Sequence, residues 1–379
     1  MKKTSRTAAI LGVAAVWLGG HFGPGFATGA FSTTWYVRYG WMGLITPLIA
    51  MLVTGGVMYF MTEYARSHGT CNYRPFALSC YGEKFGQVMS VLYDITFLLT
   101  VMCAGGLAIS GEGNIVKSMF GGTDAAYWIG FAATILISAL LCLYGSKLLS
   151  GASRYMMYAI VAVVLLIVVL SFTRGSYDLP QSFQNSMAET TFGGVLTAIF
   201  NGILYGCFQS TIVFNVMSVA DTLESKKETG KAIRSGYFIT VILMIGMVVT
   251  LFSYTSTFDI VNAPNNLPIM WVIQQLGMPW LSWIYALLMT LAVLSSAAGL
   301  AFAGCRRFDK LFSFIKNVHL RRIVITVILL GIAGFGASFG MGPLLRTGTS
   351  VVGYIGIPVL VLPALFWVSH KIKKDEKAA

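Results

Sequence analysis

Ten long apolar runs divide the chain, separated by short polar stretches that carry most of its lysine and arginine. The runs lie at about 7–31, 41–62, 86–112, 125–145, 155–173, 193–219, 236–256, 281–304, 322–340 and 350–370. At 1.5 Å of rise per residue, each is long enough for a helix to cross ~30 Å of hydrocarbon. The pattern predicts an all-α polytopic membrane protein with ten transmembrane helices in a single domain over 1–379. No signal-peptide cleavage pattern follows the first run, which is therefore expected to remain as a helix of the mature chain.

One run is not regular. Gly19-Gly20-His21-Phe22-Gly23-Pro24-Gly25-Phe26-Ala27-Thr28-Gly29 places five glycines and a proline in eleven residues near its middle. Glycine is entropically costly in a helix and proline has no N–H, so a break is expected here. In hydrocarbon, broken helices survive only where protein, water, ion or solute satisfies the freed backbone groups. The sixth run has a weaker point of the same kind at Asn201-Gly202, Tyr205-Gly206 and Gln209-Ser210. Ten runs with breaks in the first and sixth suggest two inverted repeats of five, about 7–173 and 193–370. Paired breaks of this sort mark binding sites in membrane transporters.

Composition agrees with the bilayer as solvent: 56% of the 379 residues are hydrophobic and 11% charged, and the mean hydropathy is +0.75. The net charge of +12 does not mark a nucleic-acid protein, because the basic residues sit in loops rather than on one folded face. Of the lysines and arginines, 22 fall on one side of the predicted topology and only Arg38, Lys117, Arg174 and Arg346 on the other. That asymmetry places both termini in the cytoplasm. Within 257–280, Pro264, Pro268, Trp271 and Pro279-Trp280 predict a folded outer loop that caps the protein. The six cysteines show no metal-binding or redox spacing, and reduced thiols are expected.

The residues at the break resemble a known family. Gly23-Pro24-Gly25-Phe26-Ala27-Thr28-Gly29 is similar to the first-helix Gly-x-Gly-Phe-Ala-Ser/Thr-Gly motif of the bacterial YkvI-type membrane proteins. These belong to the amino acid–polyamine–organocation superfamily, which shares the LeuT fold. The family often continues with Gln-Glu, where this chain has Ala30-Phe31. The resemblance implies a LeuT-like five-plus-five inverted repeat with broken helices 1 and 6, in a bacterial cytoplasmic (inner) membrane. In the eighth run, Ala292-Val293-Leu294-Ser295-Ser296 resembles the stretch that supplies sodium ligands in sodium-coupled members of that fold. By the same resemblance, carbonyls of Gly19 and Phe22 complete the sodium shell.

Each candidate has a bland reading beside the functional one. Ala292, Ser295 and Ser296 share a helix face and could hold sodium, or could form a small-residue packing stripe with Gly299 and Ala303. The Gly23–Gly25 bend could offer the N–H groups of Gly25, Phe26 and Ala27 to a carboxylate, or could be a packing kink. His21 could bind substrate, carry a proton or bond a freed carbonyl. Tyr205, Phe208 and Gln209 could line the opposite wall or pack as ordinary core. Asn201 and Asn215 suit interhelical hydrogen bonds. Asp94, deep in the third run, could couple protons or bond a neighbouring hydroxyl. Glu63 and Glu112 are expected at the interfaces. Cys103-Ala104-Gly105-Gly106 could make room for substrate or allow close helix packing.

The expected function is a secondary active transporter of a small solute, most simply an amino acid or related carboxylate, sodium-coupled and working by alternating access. Two alternatives remain: a non-transporting amino-acid sensor on the same fold, and a proton-coupled transporter using Asp94 or His21. No Walker motif, His-Glu-x-x-His pair or hydrolase elbow is present, which argues against an enzyme or ATP-driven pump. The implied partners are the lipid bilayer and a small-molecule substrate, with no cofactor beyond a coupling sodium ion. The sequence carries no signal for oligomeric state.

Overall fold

A computed structural model describes residues 6–144, 159, 161–173 and 178–378. The expected loop 146–154, the start of the fifth run and Arg174 lie outside the described residues. All regular structure among the described residues is helical. The first run is broken into α1 (Arg6–His21), α2 (Pro24–Ala27) and α3 (Ala30–Trp35). Then come α4 (Thr46–His68), the short α5 (Tyr73–Tyr81), α6 (Glu83–Met119) and α7 (Asp124–Tyr144). They are followed by α8 (Val161–Thr173), α9 (Leu179–Glu189), α10 (Phe192–Met217) and α11 (Lys226–Phe252). The chain closes with α12 (Pro268–Gln275), α13 (Pro279–Phe308), α14 (Val318–Ser338) and α15 (Met341–Lys377).

Eight of these helices are long and apolar enough to cross a membrane: α4, α6, α7, α10, α11, α13, α14 and α15. They correspond to eight of the ten apolar runs. Local chemistry sets several of their ends. Ser225 Oγ accepts from the Glu228 N–H at the start of α11, and Thr191 Oγ1 from the Gly194 N–H at the start of α10. Prolines occupy the first turn of α12 and α13, where a missing N–H costs nothing.

The helices pack in two groups. In one, α1 and α4 each pack on α10 and α11; in the other, α6, α7, α13 and α14 contact each other. A separate apolar cluster, including Val101, Ile109, Ala301, Leu329 and Ala333, fills the second group. Small residues allow the close approaches, as van der Waals packing within a bilayer requires. A Cβ on Gly236 would stand 2.5 Å from the Trp17 ring, and one on Gly206 2.4 Å from the Ala50 carbonyl oxygen. Thr54 Oγ1 then donates to Gly206 O at 3.0 Å, joining α4 to α10.

The expected second break takes a different form. α10 is not unwound: it tightens into one 3-10 turn at Ser210–Ile212 and resumes at Val213–Met217. Its glycines serve packing instead, Gly202 against Thr46 and Gly206 against Ala50 and Val53. Asn201 bonds Thr197 O within its own helix, not across helices. Likewise Gly105 and Gly106 lie against Ala333 and Ala337, which is the packing role.

One carboxylate differs from expectation. α6 continues seven residues beyond Glu112, so Glu112 is a buried core residue, 4% exposed, accepting from Thr290 Oγ1 at 2.7 Å. Glu63 is also buried and takes both Nε and Nη2 of Arg66.

Candidate functional site

The break in the first span is built by proline chemistry. Gly23 is extended (φ −72°, ψ −176°) and Pro24 opens α2. Pro24 has no N–H for the carbonyl of Gly20. The Phe26 N–H turns to Gly23 O at 3.1 Å rather than to Phe22 O. The carbonyls of Gly20 and Phe22 thus lose their helical donors. Gly29 ends α2 at φ +80°, a left-handed position that suits glycine. Of the three N–H groups expected to be free, those of Phe26 and Ala27 both donate to Gly23 O at 3.1 Å. The carboxylate donors expected from this turn are therefore largely engaged.

The rest of the chain holds the short helix in place. Tyr285 of α13 donates its hydroxyl to Ala27 O at 3.0 Å. Ile269 N–H of α12 donates to Thr28 O at 3.1 Å. The 257–280 segment is thus a folded cap over α2 and α3, further tied by the Phe258 and Trp271 rings, stacked 3.7 Å apart.

Around the break lies an aromatic cluster with Tyr205 at its hub. The ring of His21 lies 5.3 Å from Phe22, 5.6 Å from Phe26 and 6.0 Å from Tyr205. Tyr205 in turn meets Phe31, Trp35, Tyr36 and Phe208 at 5.3–6.0 Å, edge-on or tilted arrangements favoured by aromatic pairs. Gln209 Nε2 donates to the Tyr205 hydroxyl at 2.7 Å. The structure therefore brings together His21, Phe22, Phe26, Tyr205, Phe208 and Gln209, with Gly23, Gly25 and Ala27 beneath them.

Sequence reasoning missed Phe31, Ser32, Trp35, Tyr36 and Tyr285. The spacing held a signal: Ser32, Trp35 and Tyr36 stand at i, i+3 and i+4, one face of a helix. Tyr285 stands seven residues before Ala292, on that residue's face of α13.

Buried polar atoms are nearly always hydrogen-bonded, and this cluster departs from that rule. Both ring nitrogens of His21, Ser32 Oγ, Trp35 Nε1 and the Tyr36 hydroxyl are buried without a protein partner. The rings of His21, Trp35 and Tyr36 all meet Tyr205, at 6.0, 5.5 and 5.3 Å. Such atoms are what a polar solute, or ordered water, satisfies.

The sodium candidates are ordered along two helices. From Tyr285, level with Ala27, Ala292 and Ser295 lie seven and ten residues further along α13, about 10 and 15 Å away. Phe22 and Gly19 precede Ala27 by five and eight residues, on the other side of the break. Gly19, Ser295 and Ser296 are accessible, whereas Pro24 to Ala30 are wholly buried. Asp94 is elsewhere: it pairs with Arg307 at 2.6 Å and accepts from the Tyr73 hydroxyl at 2.9 Å.

No family model matches the chain. In sequence it is similar to the uncharacterized membrane protein YkvI of Bacillus subtilis (strain 168), 21% identical over 237 residues. The match covers 61% of this chain and spans less than two thirds, 63%, of that protein's length. In structure it is similar to a Na+-coupled sialic acid symporter in a substrate-bound outward-open state, with a TM-score of 0.60 and 13% identity over 95% of this chain and 86% of that one. It is also similar to MhsT in complex with L-phenylalanine, with a TM-score of 0.66 and 13% identity over 93% of this chain and 88% of that one. The chain is a multi-pass helical membrane protein with the LeuT fold of these transporters, related in sequence to YkvI.

Proposed function

We propose that the protein is a secondary active transporter of a small carboxylate solute, an amino acid in the simplest case, driven by sodium and working by alternating access. The observation that carries this reading is the set of unpartnered buried polar atoms on His21, Ser32, Trp35 and Tyr36 beside the broken first span. Trp35, Tyr36 and Ser32 are hydrogen-bond donors, so side chains replace the engaged backbone N–H groups as the anion's partners. The surrounding phenyl rings suit an apolar body. The fold supports transport, since two helix groups can rock against each other around a fixed site. The ten-span, five-plus-five arrangement belongs to this proposal, with α1–α3 and the segment ending in α8 as the first and fifth spans.

Sodium coupling rests on the released Phe22 carbonyl, the neighbouring Gly19 and Gly20, and the shared helix face of Ala292, Ser295 and Ser296. A hard cation takes several oxygens and needs no carboxylate among them. Uptake of an amino-acid panel into proteoliposomes, with and without a sodium gradient, tests both statements. Ser296→Ala is expected to weaken sodium-dependent uptake at least tenfold, about 1.4 kcal/mol, while the protein still inserts and folds. Uptake that ignores sodium but follows pH would move coupling to Asp94 or His21. Binding without uptake would favour the sensor.

Orientation follows from the charge asymmetry. A cysteine replacing Lys117 is expected to react with an impermeant thiol reagent from outside the cell, and one replacing Arg306 only after permeabilisation. The reverse pattern would remove the inside assignment of the termini.

A further inference from the structure

A recess of about 680 Å³ opens between α4 and α11, with no residue of the break at Gly19–Gly29 in its lining. It is lined by Tyr59 of α4 and by Lys226, Lys227, Gly230, Ile233 and Arg234 of α11. Its charge is one-sided. Lys226 pairs with Glu376 of the C-terminal helix at 2.5 Å. Among the described residues, Lys227 and Arg234 have no acidic partner within 4 Å; Arg234 Nε donates only to Gly230 O, at 3.1 Å. The nearby Glu63 carboxylate is already occupied by both nitrogens of Arg66.

Depth and shape narrow the occupant. The uninterrupted apolar stretch of α11 begins just after Arg234, so Arg234 stands at the hydrocarbon edge. Lys226 and Lys227 lie about 12 Å further out along the helix, which carries the recess across the headgroup layer of a bilayer. Tyr59 is amphipathic and suited to that layer. Beside Gly230 the nearest side chain is the Tyr59 ring, 3.9 Å from where a Cβ would stand. The buried side chain of Ile233 forms an apolar floor. The Arg234 side chain turns back towards Gly230, whose carbonyl its Nε reaches, so the recess gathers its cationic groups beside the apolar floor of Ile233, as a glycerophospholipid joins phosphate to acyl chain.

We propose that this recess is a binding site for the headgroup of an anionic glycerophospholipid. Lys227 and Arg234 hold the phosphate. Tyr59 and Ile233 meet the glycerol and the first acyl carbons. Lys226 is shared between the lipid and Glu376, so lipid binding also bears on how the C-terminal helix is held. Basic recesses between membrane helices are known to select such headgroups.

Native mass spectrometry of the full chain, purified in a neutral detergent, tests the proposal. The probes are phosphatidylglycerol and phosphatidylcholine at matched concentrations. Phosphatidylglycerol is expected to be retained at least tenfold better, and the preference is expected to fall as salt rises and charges are screened. Lys227→Gln with Arg234→Gln is expected to reduce retention to the phosphatidylcholine level, with an unchanged elution volume. Lys373→Gln with Lys374→Gln, on the exposed C-terminal helix, is expected to leave the preference intact. Equal loss in both double variants would mean diffuse charge attraction and overturn the site. Equal retention of the two lipids, or a preference that survives the first double variant, would also overturn it. Competition by inorganic phosphate or glycerol 3-phosphate as effective as that by phosphatidylglycerol would assign the recess to a soluble phosphate and overturn the lipid reading.

Discussion

Asp94→Ala is expected to destabilise the protein by about 2–3 kcal/mol, below the full cost of breaking a buried ion pair because Asp94 itself is 31% exposed. The Arg307 side chain is only 5% exposed, and its Nε lies 2.6 Å from Asp94 Oδ1. Its guanidinium lies 3.5 Å from the Tyr73 ring centroid, 4.8 Å from Phe97 and 5.4 Å from Phe214. Those rings favour the cation but cannot replace a carboxylate, and Arg307 Nη2 is already buried without a partner. Truncating Asp94 leaves the charge with quadrupoles alone, worth about 0.5–2 kcal/mol each. Thermal unfolding in detergent measures the loss. Asp94→Leu combined with Arg307→Met is expected to recover most of it, because an apolar pair of similar volume carries no desolvation penalty. A single-variant effect under about 1 kcal/mol would make the pair an ordinary solvated bridge. The cluster also joins α6 and α13 of one helix group to Phe214 of α10 in the other. Any rocking of the groups must rearrange it, so the same variants are expected to alter transport rate as well as stability.

Gly25→Val is expected to abolish substrate binding while leaving membrane insertion normal. Gly25 is buried under the Phe31 ring, and a Cβ there would stand 2.5–2.9 Å from three of its atoms. Phe31 must therefore move, and it packs on both Tyr205 and Phe208, at 5.8 and 5.7 Å. The displacement passes straight into the aromatic cluster that carries the unpartnered donors. Binding to the purified protein, measured by calorimetry or by ligand-dependent thermal shift, checks this. The same assay tests substrate class. Amino acids are expected to bind at least tenfold better than their amides or esters, a difference of about 1.4 kcal/mol. Equal affinity for an acid and its amide would remove the anion assignment. Wild-type affinity in Gly25→Val would show that the site lies elsewhere.

The break and its surroundings show how unevenly the site could be read in advance. His21, Phe22, Phe26, Tyr205, Phe208 and Gln209 were legible because they lie in or opposite a stretch that cannot be a regular helix. The donors that matter most to the proposed chemistry, on Ser32, Trp35 and Tyr36, sit just past the break in a sequence that looks like ordinary helix. The fate of the backbone N–H groups was not legible either. Whether the Phe26 N–H reaches Gly23 O or stays free depends on the backbone angles at Gly23, which glycine leaves unrestricted.

By itself the sequence determined the solvent, the run of membrane helices and the place where the first of them breaks. Those are local properties. A segment must be apolar over about 20 residues to lie in a bilayer, and proline removes an N–H whatever surrounds it. The tertiary structure alone decided what faces what. It paired Asp94 with Arg307, 213 residues away. It buried Glu112 against Thr290 of α13 and spent the glycines of α10 on contact with α4 instead of on a second break. The reason is that lipid-facing and core-facing positions are both apolar in a membrane protein, so hydropathy sets a helix in place without setting its rotation. Rotation is settled by close packing and by partners for the few buried polar groups, and those partners lie on other helices.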